Sequence, residues 1–161
     1  MKVKQYLPMI DKAGKTVIQE TGAAYNVDGR TKFNSPDLLA DFFGNTIGLK
    51  NCATEYLYIA VFNNALKMVG CFQASAGNSN TSLFPVREIL QNTLLIGGNG
   101  IAICHNHPSG NISPSNADIK ATMKIKAACE LVEIALLDHV IVAANTDAYY
   151  SFKADNYEFN H

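Results

Sequence analysis

The sequence lacks the features that would place it among membrane, disulfide-linked or zinc-ribbon proteins. Apolar runs such as residues 134–137 and 140–144 are short, far below the roughly 20 residues that a membrane-spanning helix needs. Its four cysteines are widely spaced and form no CxxC pair, which is untypical of a disulfide framework or a four-cysteine zinc site. We therefore expect reduced cysteines in a protein core and no contact with a membrane.

The sequence also has little charge, and the two signs nearly balance. Charged residues make up 17% of the chain and the formal net charge is -1, so the basic field that supports non-specific nucleic-acid binding is missing. The N-terminal residues lack the pattern of a secretory signal, and we expect a cytoplasmic protein. Hydrophobic residues make up 48% of the 161 residues, which predicts one globular domain spanning residues 1–161 with a single core.

Hydrophobic periodicity and turn residues predict a mixture of strands and helices. The first 34 residues predict one or two strands that lead into the main part of the domain, residues 35–155. The predicted helices cover residues 35–43, 85–95 and 115–131, and the first two end at Gly44 and Gly97. The predicted strands cover residues 56–62, 66–72, 100–104, 134–144 and 149–152. This order predicts an α/β, or α+β, fold.

Two histidines follow the predicted strand at 100–104 and are separated by one residue. The sequence from position 105 reads His-Asn-His-Pro-Ser-Gly, and in an extended backbone residues two apart point to the same side. His105 and His107 could then reach one metal ion. Cys104 adjoins them, but alternation along the strand turns it to the opposite side, and we assign it to the core.

Ser115 and Asp118 stand three residues apart at the start of a predicted helix. This spacing is that of a capping box with Asp in place of Glu, which by itself would explain both residues. It also places the Asp118 carboxylate on the first turn, where the partial positive charge of the helix N-terminus favours the ionised form. Together with His105 and His107 it would supply three ligands and leave the fourth tetrahedral position of a zinc ion open for water.

The complete set of spacings resembles the JAMM motif of MPN-domain metalloproteases, in which His-x-His is followed after seven residues by Ser-x-x-Asp. The resemblance implies one zinc ion per chain, held by His105, His107 and Asp118. Ser115 would stabilise the substrate oxyanion, since its hydroxyl can accept a backbone hydrogen bond and still donate one. The motif also includes an upstream glutamate that acts as general base, and Glu55, at the start of a predicted strand, matches it.

Longer segments are similar to the RadC-like branch of this family. The similarity is carried by His-Asn-His-Pro-Ser-Gly at 105–110 and Leu-Asp-His-Val-Ile-Val at 137–142. It implies an MPN/JAB-like fold, with a mixed curved β-sheet flanked by helices and an architecture like that of cytidine deaminases. RadC proteins usually carry an N-terminal helix-hairpin-helix region, and we expect none here. Asp138 and His139 of the second segment could support the metal ligands, although structural hydrogen bonding would also explain them.

We therefore expect a zinc-dependent metallohydrolase that cleaves a peptide or isopeptide bond in a peptide or protein substrate, using zinc-bound water and the Glu55 base. Two alternatives stay open. One is a DNA-repair-associated protein that acts on or binds nucleic acid, although the charge does not support it and the zinc-deaminase signature is absent from the sequence. The other is a non-catalytic binding module that keeps zinc for stability.

Overall fold

The architecture is a mixed sheet of seven strands with helices on both faces, in a computed structural model that describes residues 1–28, 31–77 and 84–155. The strands are β1 Lys2–Ile10, β2 Thr16–Asn26, β3 Tyr56–Phe62, β4 Met68–Ala76, β5 Gly100–His107, β6 Ala135–Ala143 and β7 Tyr149–Ser151. The helices are α1 Pro36–Asp41, α2 Val86–Ile96 and α3 Asn116–Leu131. A π-helical turn, Phe42–Thr46, and a 3-10 turn, Leu49–Asn51, follow α1.

The strand order in the sheet is β2-β1-β4-β3-β5-β6-β7. Residues 2–26 form an antiparallel hairpin, β1 and β2, which joins the sheet through a parallel contact of β1 with β4. β3 pairs antiparallel with both β4 and β5, and β5 runs parallel to β6. Because parallel neighbours need a crossover, α3 connects β5 to β6 and lies against the sheet. The predicted mixed sheet flanked by helices is confirmed.

Each central strand alternates its side chains between two apolar layers. The layer on the side of α1 contains, among others, Phe42, Phe62, Ala102, Cys104 and Val140. The layer on the side of α2 and α3 contains Leu57, Ile59, Ile89, Ile101, Ile103 and Ile125. In β3 and β5 the odd-numbered residues therefore face α3, which fixes the side on which a polar side chain at either strand end must lie.

Several predicted boundaries are wrong, and one of them is the end of β4, which lies at Ala76 rather than at residue 72. The first helix does not end at Gly44, because the chain continues through the π-helical turn and reaches the left-handed conformation only at Gly48, with φ of 91°. The stem of Lys50 packs over Gly44, where an added Cβ would lie 2.7 Å from its Cε. β5 does not end at residue 104 either, since its pairing with β6 continues to His107, beyond the last apolar residue.

The cysteines are free thiols, and three of the four are buried. Burial raises the pKa of Cys71 to about 12 and that of Cys129 to about 11, so both thiols stay protonated at neutral pH. The expected core position is confirmed for these two and for Cys104, while Cys52 is only half-buried. Within the described residues, no helix is long and apolar enough to cross a membrane.

Candidate metal centre

Four side chains that could hold a metal ion meet at the start of β3, the end of β5 and the first turn of α3. They are Glu55, His105, His107 and Asp118, and their ligand atoms all lie within 4.8 Å of one another. Leu57 pairs with His105 across the antiparallel strands β3 and β5. This register brings Glu55, two residues before Leu57, beside His107, two residues after His105. Because Glu55, His105 and His107 are odd-numbered positions that follow the alternation of β3 and β5, they share the face that α3 covers.

The separations within this group match the needs of a single metal ion. Nε2 of His105 lies 2.9 Å from Nε2 of His107. Asp118 places Oδ1 3.5 Å from His105 Nε2 and Oδ2 3.8 Å from His107 Nε2. A tetrahedral zinc ion with bonds of about 2.1 Å requires ligand atoms roughly 3.4 Å apart. Each pair of residues therefore has atoms within about half an ångström of that separation, and with one ligand atom taken from each residue the whole group stays within 4.8 Å.

The hydrogen bond on the far side of the His107 ring prepares this residue to bind a cation. Its Nδ1 lies 2.6 Å from the backbone carbonyl oxygen of Asn111. A carbonyl can only accept, so Nδ1 carries the hydrogen and a neutral ring has its lone pair on Nε2. That lone pair faces Nε2 of His105 at 2.9 Å, an arrangement that a cation shared between the two nitrogens would stabilise.

Asp118 is oriented by the predicted capping box, which the structure confirms. Its Oδ2 accepts hydrogen bonds from the Ser115 backbone N–H at 2.8 Å and from the Ser115 hydroxyl at 2.7 Å, and its own N–H donates to Ser115 Oγ. Burial opposes ionisation, but the neighbouring His105 ring, followed by the hydrogen bonds from Ser115, holds the pKa of Asp118 well below its usual range. The carboxylate is therefore anionic at neutral pH.

Glu55 borders the group on its solvent side. Its Oε1 lies 3.9 Å from Nε2 of His105, and its side chain is 37% exposed. It lines an open cleft of about 500 Å³ together with Phe84, His107, Ser115, Ala117, Asp118 and Ala121. The Gly77 N–H donates to the Glu55 carbonyl oxygen at 2.6 Å, and an added Cβ on Gly77 would lie 3.2 Å from that oxygen. Gly77 thus permits the close approach of β4 that supports Glu55.

Asn106, between the two histidines, has a role that the sequence analysis missed. Its buried side chain points to the opposite face, where Oδ1 accepts from the Tyr56 N–H at 2.8 Å. Its Nδ2 donates to the carbonyl oxygens of Thr54 and Cys52 at 3.0 and 3.3 Å. Asn106 therefore holds the backbone on both sides of Glu55. Strand alternation, which turns a polar residue toward an apolar layer, was the available signal.

Asp138 and His139 do not act as a pair, because consecutive residues of β6 face opposite sides of the sheet. The Asp138 carboxylate accepts hydrogen bonds from Ser151 Oγ, the His139 N–H and the Lys153 N–H, and burial raises its pKa. The His139 ring faces the metal-ligand group instead, with Nε2 2.8 Å from Nδ1 of His105. Burial, followed by the charge of His105, lowers the pKa of His139 well below its usual value.

Comparisons with known proteins show the family to which the chain belongs. A sequence model of the family described as RadC-like JAB domain matches residues 33–157. The chain is 38% identical over 112 residues to a UPF0758 protein of Finegoldia magna, covering 70% of this chain and 49% of the relative. It is 32% identical over 127 residues to a UPF0758 protein of Haemophilus ducreyi, covering 79% of this chain and 55% of the relative. The chain thus spans about half the length of these relatives. It belongs to the RadC-like JAB domain family.

Proposed function

We propose that the chain is a zinc-dependent metallohydrolase of the JAMM type that cleaves a peptide or isopeptide bond. The observation that carries the proposal is the convergence of two imidazole nitrogens and a carboxylate within 3.8 Å of one another, beside the carboxylate of Glu55. His105, His107 and Asp118 would hold the ion. When bound, zinc lowers the pKa of a coordinated water to about 7 and polarises a carbonyl oxygen.

Glu55 would act as the general base. Its carboxylate borders both the ligand group and the open cleft, so it can contact water and substrate together. During amide hydrolysis it takes a proton from the attacking water as the new C–O bond forms. It then gives that proton to the leaving nitrogen as the C–N bond breaks. A carboxylic acid and an amine are released, and Glu55 returns to its ionised form.

Ser115 would donate a hydrogen bond to the substrate carbonyl oxygen as negative charge develops there. Without substrate its hydroxyl donates to Oδ2 of Asp118 at 2.7 Å, so this role requires rotation of the O–H bond toward the cleft. The Ser115 backbone N–H also donates to Oδ2, at 2.8 Å. That second hydrogen bond keeps the Asp118 carboxylate in place while the hydroxyl turns to the substrate.

The experiment is the exchange of Glu55 for glutamine, which keeps the size of the side chain but cannot take up a proton. We expect the purified chain to contain stoichiometric zinc by elemental analysis and to cleave members of a panel of peptides and lysine-linked isopeptides. Glu55→Gln should retain zinc and lose at least about 10²-fold in turnover, the lower range for general base catalysis. The matched control is Glu88→Gln on the exposed side of α2, which should retain both properties.

Other outcomes would contradict the base, favour a different function or change the metal. Wild-type turnover by Glu55→Gln on a substrate that the chain cleaves would contradict the base. A chain that binds zinc, unfolds when a chelator removes it and cleaves nothing would favour the zinc-stabilised binding module. Binding to forked DNA that weakens steeply with added salt would favour the nucleic-acid alternative. Iron or manganese in place of zinc would change the metal but keep the ligand set.

A further inference from the structure

A line of short buried contacts runs from one proposed metal ligand to the main chain of another. Nδ1 of His105 lies 2.8 Å from Nε2 of His139. Nδ1 of His139 lies 2.6 Å from Oγ1 of Thr122, and that oxygen lies 2.6 Å from the carbonyl oxygen of Asp118. The side chains of His105, His139 and Thr122 are completely buried. Bulk water therefore does not compete for any of these contacts.

The carbonyl at the end of the line determines where each hydrogen lies. A carbonyl oxygen can only accept, so the Thr122 hydroxyl donates its single hydrogen to Asp118. If it donated elsewhere, two oxygen lone pairs would face each other at 2.6 Å. The Thr122 oxygen must then accept in its other contact. Nδ1 of His139 therefore carries a hydrogen.

The surroundings of His139 disfavour a second hydrogen on its ring. The ring stacks on Phe152 with centroids 4.7 Å apart and an angle of 3° between the planes, and it meets Phe84 in a T-shaped contact at 5.5 Å. Its two nitrogens contact His105 and Thr122 rather than a carboxylate. An imidazolium buried in this way would lack an ionic partner, which is strongly unfavourable. Nε2 of His139 is therefore an acceptor.

An acceptor at Nε2 of His139 requires a donor at Nδ1 of His105. A neutral His105 then has its lone pair on Nε2, the atom that faces His107 and Asp118. We infer that Thr122 and His139 are positioning residues, which hold His105 in the tautomer whose Nε2 is free to bind a cation. This inference rests on the metal site proposed above, and it adds two residues that do not contact the ion.

The same line also links the two elements that carry the proposed ligands, β5 and α3, through β6. His105 lies on β5, His139 on β6, and Thr122 on α3, one helical turn after Asp118. A shift of α3 away from the sheet would lengthen the contact between Oγ1 of Thr122 and Nδ1 of His139, which joins α3 to β6. The line therefore ties the helix that carries Asp118 to the strand that carries His105 and His107.

Three threonine variants test the inference through metal affinity rather than activity. Thr122→Val removes the hydroxyl and keeps the shape, and Thr122→Ser keeps the hydroxyl. The control is Thr93→Val on α2, where an equally buried threonine donates to the carbonyl four residues earlier, Ile89, at 2.7 Å. We expect Thr122→Val to bind Co²⁺ and Zn²⁺ about 10- to 100-fold more weakly, measured by chelator competition, as for other residues that orient a metal-bound histidine. Thr122→Ser and Thr93→Val should bind both metals as the wild type does.

The second readout does not depend on metal. Nitrogen-15 spectra of the chain labelled at its four histidines distinguish a ring nitrogen that carries hydrogen from one that does not. We expect His139 in the Nδ1–H tautomer, with and without metal, and a loss of this preference in Thr122→Val. Visible absorption of the Co²⁺ complex should keep its wild-type shape in Thr122→Ser and change in Thr122→Val.

The possible failures are distinguishable. An Nε2–H tautomer for His139 in the wild type would overturn the inference whatever the chain binds. Wild-type metal affinity in Thr122→Val, with tight binding by the wild type, would overturn the positioning role and leave the metal site intact. A wild-type chain that binds neither metal would overturn the metal site and the positioning role together.

Discussion

Exchange of Asp118 for asparagine should weaken metal binding much more than it weakens the fold. The amide can keep its oxygen at the position of Oδ2, where it accepts the two hydrogen bonds from Ser115. Its NH₂ group then replaces Oδ1, which lies 3.5 Å from Nε2 of His105. The substitution therefore leaves the helix cap in place but exchanges an anionic ligand atom for a hydrogen-bond donor that cannot bind a cation.

The expected cost to the fold without metal is small. Loss of a negative charge at the N-terminus of α3 costs about 0.3–1 kcal/mol. The two hydrogen bonds to Oδ2 lose their charge assistance, which costs on the order of another 1 kcal/mol. We therefore expect the free energy of unfolding of the metal-free protein to fall by about 1–2 kcal/mol.

The expected effect on the metal-bound protein is larger. At a free zinc concentration about 1,000 times its Kd, the wild type gains roughly 4 kcal/mol, whereas a variant that binds about 100-fold more weakly gains roughly 1.4 kcal/mol. In a domain of this size, each kcal/mol shifts Tm by about 2–4 °C. Zinc should therefore raise Tm by about 8–16 °C in the wild type and by about 3–6 °C in Asp118→Asn.

The assay is thermal unfolding of chelator-treated protein, followed by circular dichroism across a zinc titration. Asp37→Asn is the matched control, because Asp37 also lies in the first turn of a helix, α1, and outside the ligand group. It should show the wild-type response to zinc. Equal zinc-dependent shifts in the wild type and Asp118→Asn would refute the assignment of Asp118 as a ligand.

Three further changes test other parts of the structure. Asn106→Ala removes the side chain that holds the backbone around Glu55. We expect turnover to fall by roughly 10²-fold, as for a catalytic group displaced by about 1 Å, with unchanged zinc content; unaltered turnover would contradict the positioning of Glu55. Burial raises the pKa of Asp138, so the folded protein favours the protonated carboxyl. The stability that the protonated form contributes is lost as pH rises through that pKa. Asp138→Asn should unfold at the same or a higher urea concentration at neutral pH. Asp138→Ala leaves buried donors unpaired, so its free energy of unfolding should fall by about 1–3 kcal/mol. Equal losses of stability in the two variants would speak against this reasoning. The folded pKa of Asp118 lies below its unfolded value of about 3.9, so the stability from its ionised form is complete above that pH and is lost as pH falls. Metal-free wild type should therefore lose stability in acid more steeply than Asp118→Asn, and parallel pH curves would contradict this.

The parts of the site that were predicted from sequence are those with a local pattern. His105 and His107 share a face because side chains alternate along an extended strand. Ser115 and Asp118 form a capping box because the residues involved are three apart in the chain. Glu55 has no such pattern, since a glutamate before a strand is common, and only the resemblance to a known family identified it. The prediction that the first helix ends at Gly44 was wrong, because a glycine can also be needed for close packing, here against the side chain of Lys50.

The sequence by itself determined the elements that hold the proposed ligands and the direction in which these side chains point, because alternation, capping and helix periodicity depend on neighbours a few residues away. Only the tertiary structure decided which residues support them. His139 lies 34 residues from His105, and Asn106 lies 50 residues from Tyr56. These contacts depend on the register of β5 against β6 and β3, and that register is set by the packing of both faces of the sheet, which no short segment of the chain encodes.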